Sequence, residues 1–136
     1  QAAGLEVIEV VNTDVLNVRS GPYVNYAMVG AAYRGQKFVC TGQAESGWYE
    51  ILYKGQRAFI SNKYTQKLSS DKQFVQIRDT QWLNVRSGPG VDYAMLGAGN
   101  EWDIFECLGQ EKNGWYKIKY KNGIGYISGK YASIVE

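Results

Sequence analysis

The sequence predicts an all-β chain folded as two tandem, small, partly open barrels with minimal helix. Three observations predict it. Sixteen glycines and only two prolines accompany many Val, Ile, Tyr, Phe and Trp residues, the composition of short strands joined by tight turns. The apolar runs are short and turn-punctuated, and none approaches the roughly 20 residues of a membrane-spanning helix. Finally, the chain repeats itself. Leu16-Asn17-Val18-Arg19-Ser20-Gly21-Pro22 returns 67 positions later as Leu83-Asn84-Val85-Arg86-Ser87-Gly88-Pro89.

The same offset carries Tyr26-Ala27-Met28 onto Tyr93-Ala94-Met95, Gly47-Trp48-Tyr49 onto Gly114-Trp115-Tyr116, and Lys63-Tyr64 onto Lys130-Tyr131. No gap is needed and about half of the paired positions are identical, so a complete unit has been duplicated. The polar stretch Ser69-Ser70-Asp71-Lys72 marks the boundary. The expected organisation is a tail at 1–4, a first domain at 5–68, a linker at 69–71 and a second domain at 72–136.

In the first copy, Val7-Ile8-Glu9-Val10-Val11 and Leu16-Asn17-Val18 read as strands, followed by a Gly-Pro-punctuated loop over 20–35. Phe38-Val39-Cys40, residues 48–53 and Ala58-Phe59-Ile60 read as three more strands, with turns at 42–47 and Lys54-Gly55. Asn62-Lys63-Tyr64 reads as a single turn before a last short strand. The second copy repeats the order, with Lys121-Asn122-Gly123 as a hairpin turn. Many short strands in so few residues bury one common face by curling on themselves, hence the barrel.

Lys plus Arg is 15 against Asp plus Glu at 13, with no basic block of the kind that tracks a phosphate backbone, so the reading is no nucleic acid and no membrane insertion. Histidine is absent, which removes the commonest general base and zinc ligand. With two cysteines and no phosphate-cradling Gly-rich loop, neither a metal nor a cofactor is expected. Carboxylate positions are not reproduced between copies: Glu45 becomes Lys112 and Glu50 becomes Lys117. No catalytic residue is assigned. The start, Gln1-Ala2-Ala3-Gly4, shows no signal-peptide pattern.

The pattern Leu-Asn-Val-Arg-Ser-Gly-Pro, a loop of about a dozen residues, an apolar strand, Gly-Trp-Tyr-x-Ile and a late aromatic-Ile-Ser resembles the bacterial SH3-like (SH3b) family, twice. The resemblance implies barrels of five or so strands, usually attached to cell-wall hydrolases, phage endolysins or other envelope proteins, hence an extracellular or envelope-associated setting. It also implies two roles: binding of peptidoglycan peptides, or a spacer or regulatory module contacting another protein domain, such as an attached catalytic domain. Two departures distinguish the copies. Tyr23 stands where the family usually has the Gly seen at Gly90, and Trp102 stands at the turn position of Gly35.

Strand alternation puts Tyr116, Ile118 and Tyr120 on one face and Trp115, Lys117 and Lys119 on the other. A lysine-bearing face is not the core side, so Trp48 and Trp115 lean outward. Either Trp48 and Trp115 with Tyr26, Tyr93 and Lys117 line a peptide groove, or each indole lies on its own Gly-Pro loop and closes the barrel end. Arg19 and Arg86 read as structural, holding the carbonyls of a long irregular loop. Trp82 and Trp102 have no aromatic counterpart in the first copy, where Val15 and Gly35 stand, and at least one of them is expected at the junction between barrels, the alternative being an exposed loop aromatic. Cys40 and Cys107 are expected as buried free thiols. The residues favour a non-catalytic module and the resemblance implies peptidoglycan peptides as its ligand, the alternatives being an interaction module and a hydrolase.

Overall fold

The computed structural model describes residues 5–136; the tail expected at 1–4 lies outside them. The chain divides into two compact units between Ser70 and Asp71. Each is one seven-stranded antiparallel sheet. In the first, the strands are β1 (Glu6–Val10), β2 (Val15–Arg19), β3 (Met28–Tyr33), β4 (Lys37–Gln43), β5 (Tyr49–Tyr53), β6 (Gln56–Ile60) and β7 (Thr65–Lys67), ordered β3-β2-β6-β5-β4-β1-β7. In the second they are β8 (Gln73–Ile77), β9 (Trp82–Arg86), β10 (Met95–Asn100), β11 (Ile104–Gln110), β12 (Tyr116–Tyr120), β13 (Gly123–Ile127) and β14 (Ala132–Ile134), in the same spatial order. Among the described residues, helix is confined to two three-residue 3-10 turns, Asn62–Tyr64 and Gly129–Tyr131. Seven strands replace the five or so that the resemblance implies.

The added strands have a physical explanation. β3 and β10 lie in the stretch read from sequence as loop, because Met28–Tyr33 is rich in Gly and Ala and alternates poorly. Each is an edge strand whose outer residues stay exposed, so it carries little of the period-two signal. Gly30 and Gly97 are closely approached by the hydroxyls of Tyr53 and Tyr120, so a Cβ at either position would have to push that hydroxyl aside.

Each unit has its own core. Ile8, Val18, Ile51 and Ile60 are fully buried in the first, and Val75, Val85, Ile118 and Ile127 in the second. Tyr49 and Tyr53 pack on the first core, as Tyr120 does on the second, where Tyr116 is itself a buried member, so the strand face containing Ile51 or Ile118 points inward. Cys40 and Cys107 are free and buried, and each thiol donates to a carbonyl two residues on, that of Gly42 or Gly109. Burial raises both thiols above their ordinary range, and backbone hydrogen bonding at Gly42 or Gly109 offsets this only in part.

The turn after β10 differs instructively from that after β3. Gly35 sits at φ 88° and its N–H donates to the carbonyl of Val10 at 2.9 Å. Trp102 holds the same conformation, φ 78°, and its N–H donates to the carbonyl of Ile77 at 2.8 Å. A left-handed conformation costs a residue with a Cβ about 1–2 kcal/mol. Local partners offset it: Gln76 donates to the Trp102 carbonyl at 3.0 Å, and the Arg78 guanidinium stands 4.7 Å from the indole centroid.

Asp103 closes this turn, accepting the Asn100 N–H at 2.8 Å. Burial raises its carboxyl above the ordinary range, and the bond from Asn100 opposes this only in part. A raised carboxyl contributes its stability below the unfolded-chain value of about 3.9 and loses it as pH climbs through the folded value. Asp103→Asn keeps an acceptor without the charge. The stability difference between variant and wild type should therefore move in the variant's favour over that pH interval, as read by urea unfolding at a series of pH values.

Candidate functional site

In each unit the Gly-Pro loop is fastened at its base by the arginine that ends the preceding strand. Arg19 donates to the carbonyl of Tyr26 at 2.9 Å and Arg86 to that of Tyr93 at 3.0 Å. A main-chain bond runs alongside, from Ser20 N–H to the Ala27 carbonyl and from Ser87 N–H to the Ala94 carbonyl. Tyr26 then folds its ring onto Gly21, and Tyr93 onto Gly88, so closely that no Cβ fits at either glycine. The rings stay half open to solvent.

Trp48 and Trp115 immediately precede β5 and β12, outside both core clusters, and are half-buried. A residue that sequence comparison of the copies passes over connects each to its loop. Ser46 Oγ donates to the Pro22 carbonyl at 2.9 Å and accepts the Trp48 N–H at 3.3 Å. In the second unit Asn113 does both tasks, donating through Nδ2 to the Pro89 carbonyl at 2.9 Å and accepting the Trp115 N–H through Oδ1 at 3.1 Å. The signal is a small side chain with an oxygen at the same register, a chemical equivalence hidden by the change of identity.

Strand register sets the outer face. Arg19 pairs with Phe59 and Phe59 with Glu50 in the first unit; Arg86 pairs with Tyr126 and Tyr126 with Lys117 in the second. Lys117 and Arg86 therefore share one row, and Arg86 also holds the main-chain carbonyl of Tyr93. The equivalent rows carry different chemistry. Glu50 is engaged on both oxygens, accepting from Thr41 at 2.7 Å and pairing with Arg57 at 2.9 Å. The Thr41 bond leads in holding its carboxyl below the ordinary range, with Arg57 adding to it.

The loop crests differ too. Tyr23 stacks on Tyr26 with centroids 6.4 Å apart, whereas Gly90 leaves Tyr93 without that neighbour. Trp82 begins β9 opposite Asn100 and is 64% exposed; Trp102 lies under Arg78 in its turn. Neither takes part in the row or the loop contacts just described.

A fold of this class, a small curled sheet with an aromatic-crested loop, defines an SH3-like barrel. The family model "Bacterial SH3 domain" matches residues 14–66 and 83–133, and the chain belongs to that family. It is 27% identical over 137 residues to a putative N-acetylmuramoyl-L-alanine amidase, YrvJ, of Bacillus subtilis (strain 168), covering 91% of this chain and 25% of that protein. It is 47% identical over 51 residues to a probable endopeptidase p60 of Listeria innocua, covering 37% of this chain and 11% of that one. Thus the chain spans a quarter or less of the length of these relatives. Among solved structures it is similar to NlpC2 from Trichomonas vaginalis, with a TM-score of 0.43 and 15% identity over 98% of this chain and 49% of that one.

Proposed function

We propose that the chain is a non-catalytic binding module that holds peptidoglycan peptides at the cell envelope or outside the cell, alongside a cell-wall hydrolase. One observation carries this reading: the duplication preserves an exposed apolar crest as faithfully as it preserves the core. Val24 and Val91 are 74% and 71% exposed, Tyr26 and Tyr93 43% and 49%, and Met28 and Met95 57% and 59%. Large apolar side chains displayed in matched pairs suit contact with a partner rather than with the barrel. Tyrosine gives contact area at low entropic cost, and methionine adapts its shape to the surface it meets. The similarity to segments of a putative amidase and a probable endopeptidase supports a wall-directed role.

In this reading Tyr26 and Tyr93 supply the contact area, Trp48 and Trp115 form the flank beneath them, and the arginines keep the crest in shape. Co-sedimentation with purified peptidoglycan sacculi tests it. The intact chain should be retained, and Tyr26→Ala with Tyr93→Ala should weaken retention about tenfold, the loss of two aromatic contacts worth about 0.5–1.5 kcal/mol each. An intact chain that stays in the supernatant, or that turns over the sacculi, overturns the proposal. Binding to a partner domain instead would then identify an interaction module.

A further inference from the structure

We infer that the second unit, and not the first, takes a carboxylate-bearing peptide on the row formed by Arg86, Tyr126 and Lys117. The ligand rests on the wall-peptide reading above; the placement rests on charge. Lys117 is half-buried on the outer face, and among the described residues no acidic side chain pairs with it. Its neighbour Lys119 is different, pairing with Glu106 at 3.8 Å, and Lys72 meets that same carboxylate at 3.3 Å. Arg86 spends one guanidinium nitrogen on the Tyr93 carbonyl, and no carboxylate among the described residues pairs with it. Between these cations in the register stands Tyr126, a phenol.

The first unit supplies an internal comparison. Its row reads Arg19, Phe59, Glu50, so the carboxylate belongs to the protein itself. Thr41 and Arg57 hold that carboxylate, and the Arg57 guanidinium also stands 5.4 Å from the Phe59 centroid. In the second unit each of these positions has changed together: Thr41 to Leu108, Glu50 to Lys117, Arg57 to Ile124 and Phe59 to Tyr126. The negative group is gone and its two partners have become apolar. What remains is a cation and a hydroxyl on a partly apolar face, which a carboxylate from outside complements. The first unit's row already holds a carboxylate, paired with Arg57 beside the row, and that charge repels a second one.

Isothermal titration of the full chain tests this with two synthetic peptidoglycan stem peptides, identical except that one has free carboxylates and the other has them amidated. The free form should bind about tenfold more tightly, with the advantage shrinking as salt screens it. Lys117→Gln should abolish the advantage. So should Lys117→Glu combined with Ile124→Arg, a pair the first unit already accommodates. Glu50→Gln should leave it intact. Equal binding of the two peptides, or an advantage that survives both Lys117 variants, overturns the inference. Retention on sacculi with equal peptide binding sinks this inference alone, whereas carboxylate preference without retention sinks only the wider reading.

Discussion

Ile118→Ala is expected to cost about 2–5 kcal/mol of unfolding free energy, the range for emptying a fully buried aliphatic site. Ile118 is 0% exposed at the centre of β12, paired with Cys107 on one side and Gly125 on the other. Its side chain packs among Val75, Val85 and Ile127, whose positions are fixed by hydrogen-bonded strands, so they relax only partly into the void. A unit of this size has a total stability of roughly 3–10 kcal/mol on the usual per-residue scale. The loss is therefore a large fraction of the whole, and urea unfolding followed by near-UV circular dichroism should show it. Lys119→Ala, the very next residue and on the opposite face, should change stability by about 0.5 kcal/mol or less. If the two substitutions cost the same, the assignment of inner and outer faces is wrong.

Alanine at Gly21 and Gly88 is expected to expel the tyrosine from its seat. In both units the ring occupies the space a Cβ would need, and forcing a methyl into such a contact costs about 1–3 kcal/mol. Because each ring is already half open to solvent, it can swing outward and leave the core untouched. The damage should be local. Amide exchange at Ser20 and Ser87, whose N–H groups close the loop base, should accelerate, while exchange at Ile51 and Ile118 should not. Retention on sacculi should fall at least as far as with the tyrosine-to-alanine pair, since the ring is present but misplaced. A chain carrying both alanines that keeps full retention would show the crest to be irrelevant to binding.

Much of this architecture is legible before any coordinates. The 67-residue offset gives the duplication, and three lysines alternating with Tyr116, Ile118 and Tyr120 orient β12. Edge strands β3 and β10 are not legible, because alternation records burial on one side and these strands bury little on either. The link made by Ser46 and Asn113 is hidden for another reason. Identity between copies is a poor detector when a hydroxyl and a carboxamide satisfy the same carbonyl and the same N–H. The outer row is hidden because it runs across strands: Arg86, Tyr126 and Lys117 lie far apart in sequence and meet only through register. The exchange of Glu50 for Lys117 is visible in the sequence, but its meaning is not. Only the bonds that Thr41 and Arg57 make to Glu50 reveal what the second copy has given up.

The two inward-facing thiols have a practical corollary. Each half of the chain carries a single sulfhydryl, hydrogen-bonded to its own backbone and disfavoured as thiolate. Alkylating reagents need the thiolate and need access to it, so modification waits for the surrounding strands to part. Cys40 and Cys107 are thus native covalent stopwatches, one per half, and peptide mapping after timed labelling reads the opening of each half separately without adding a probe.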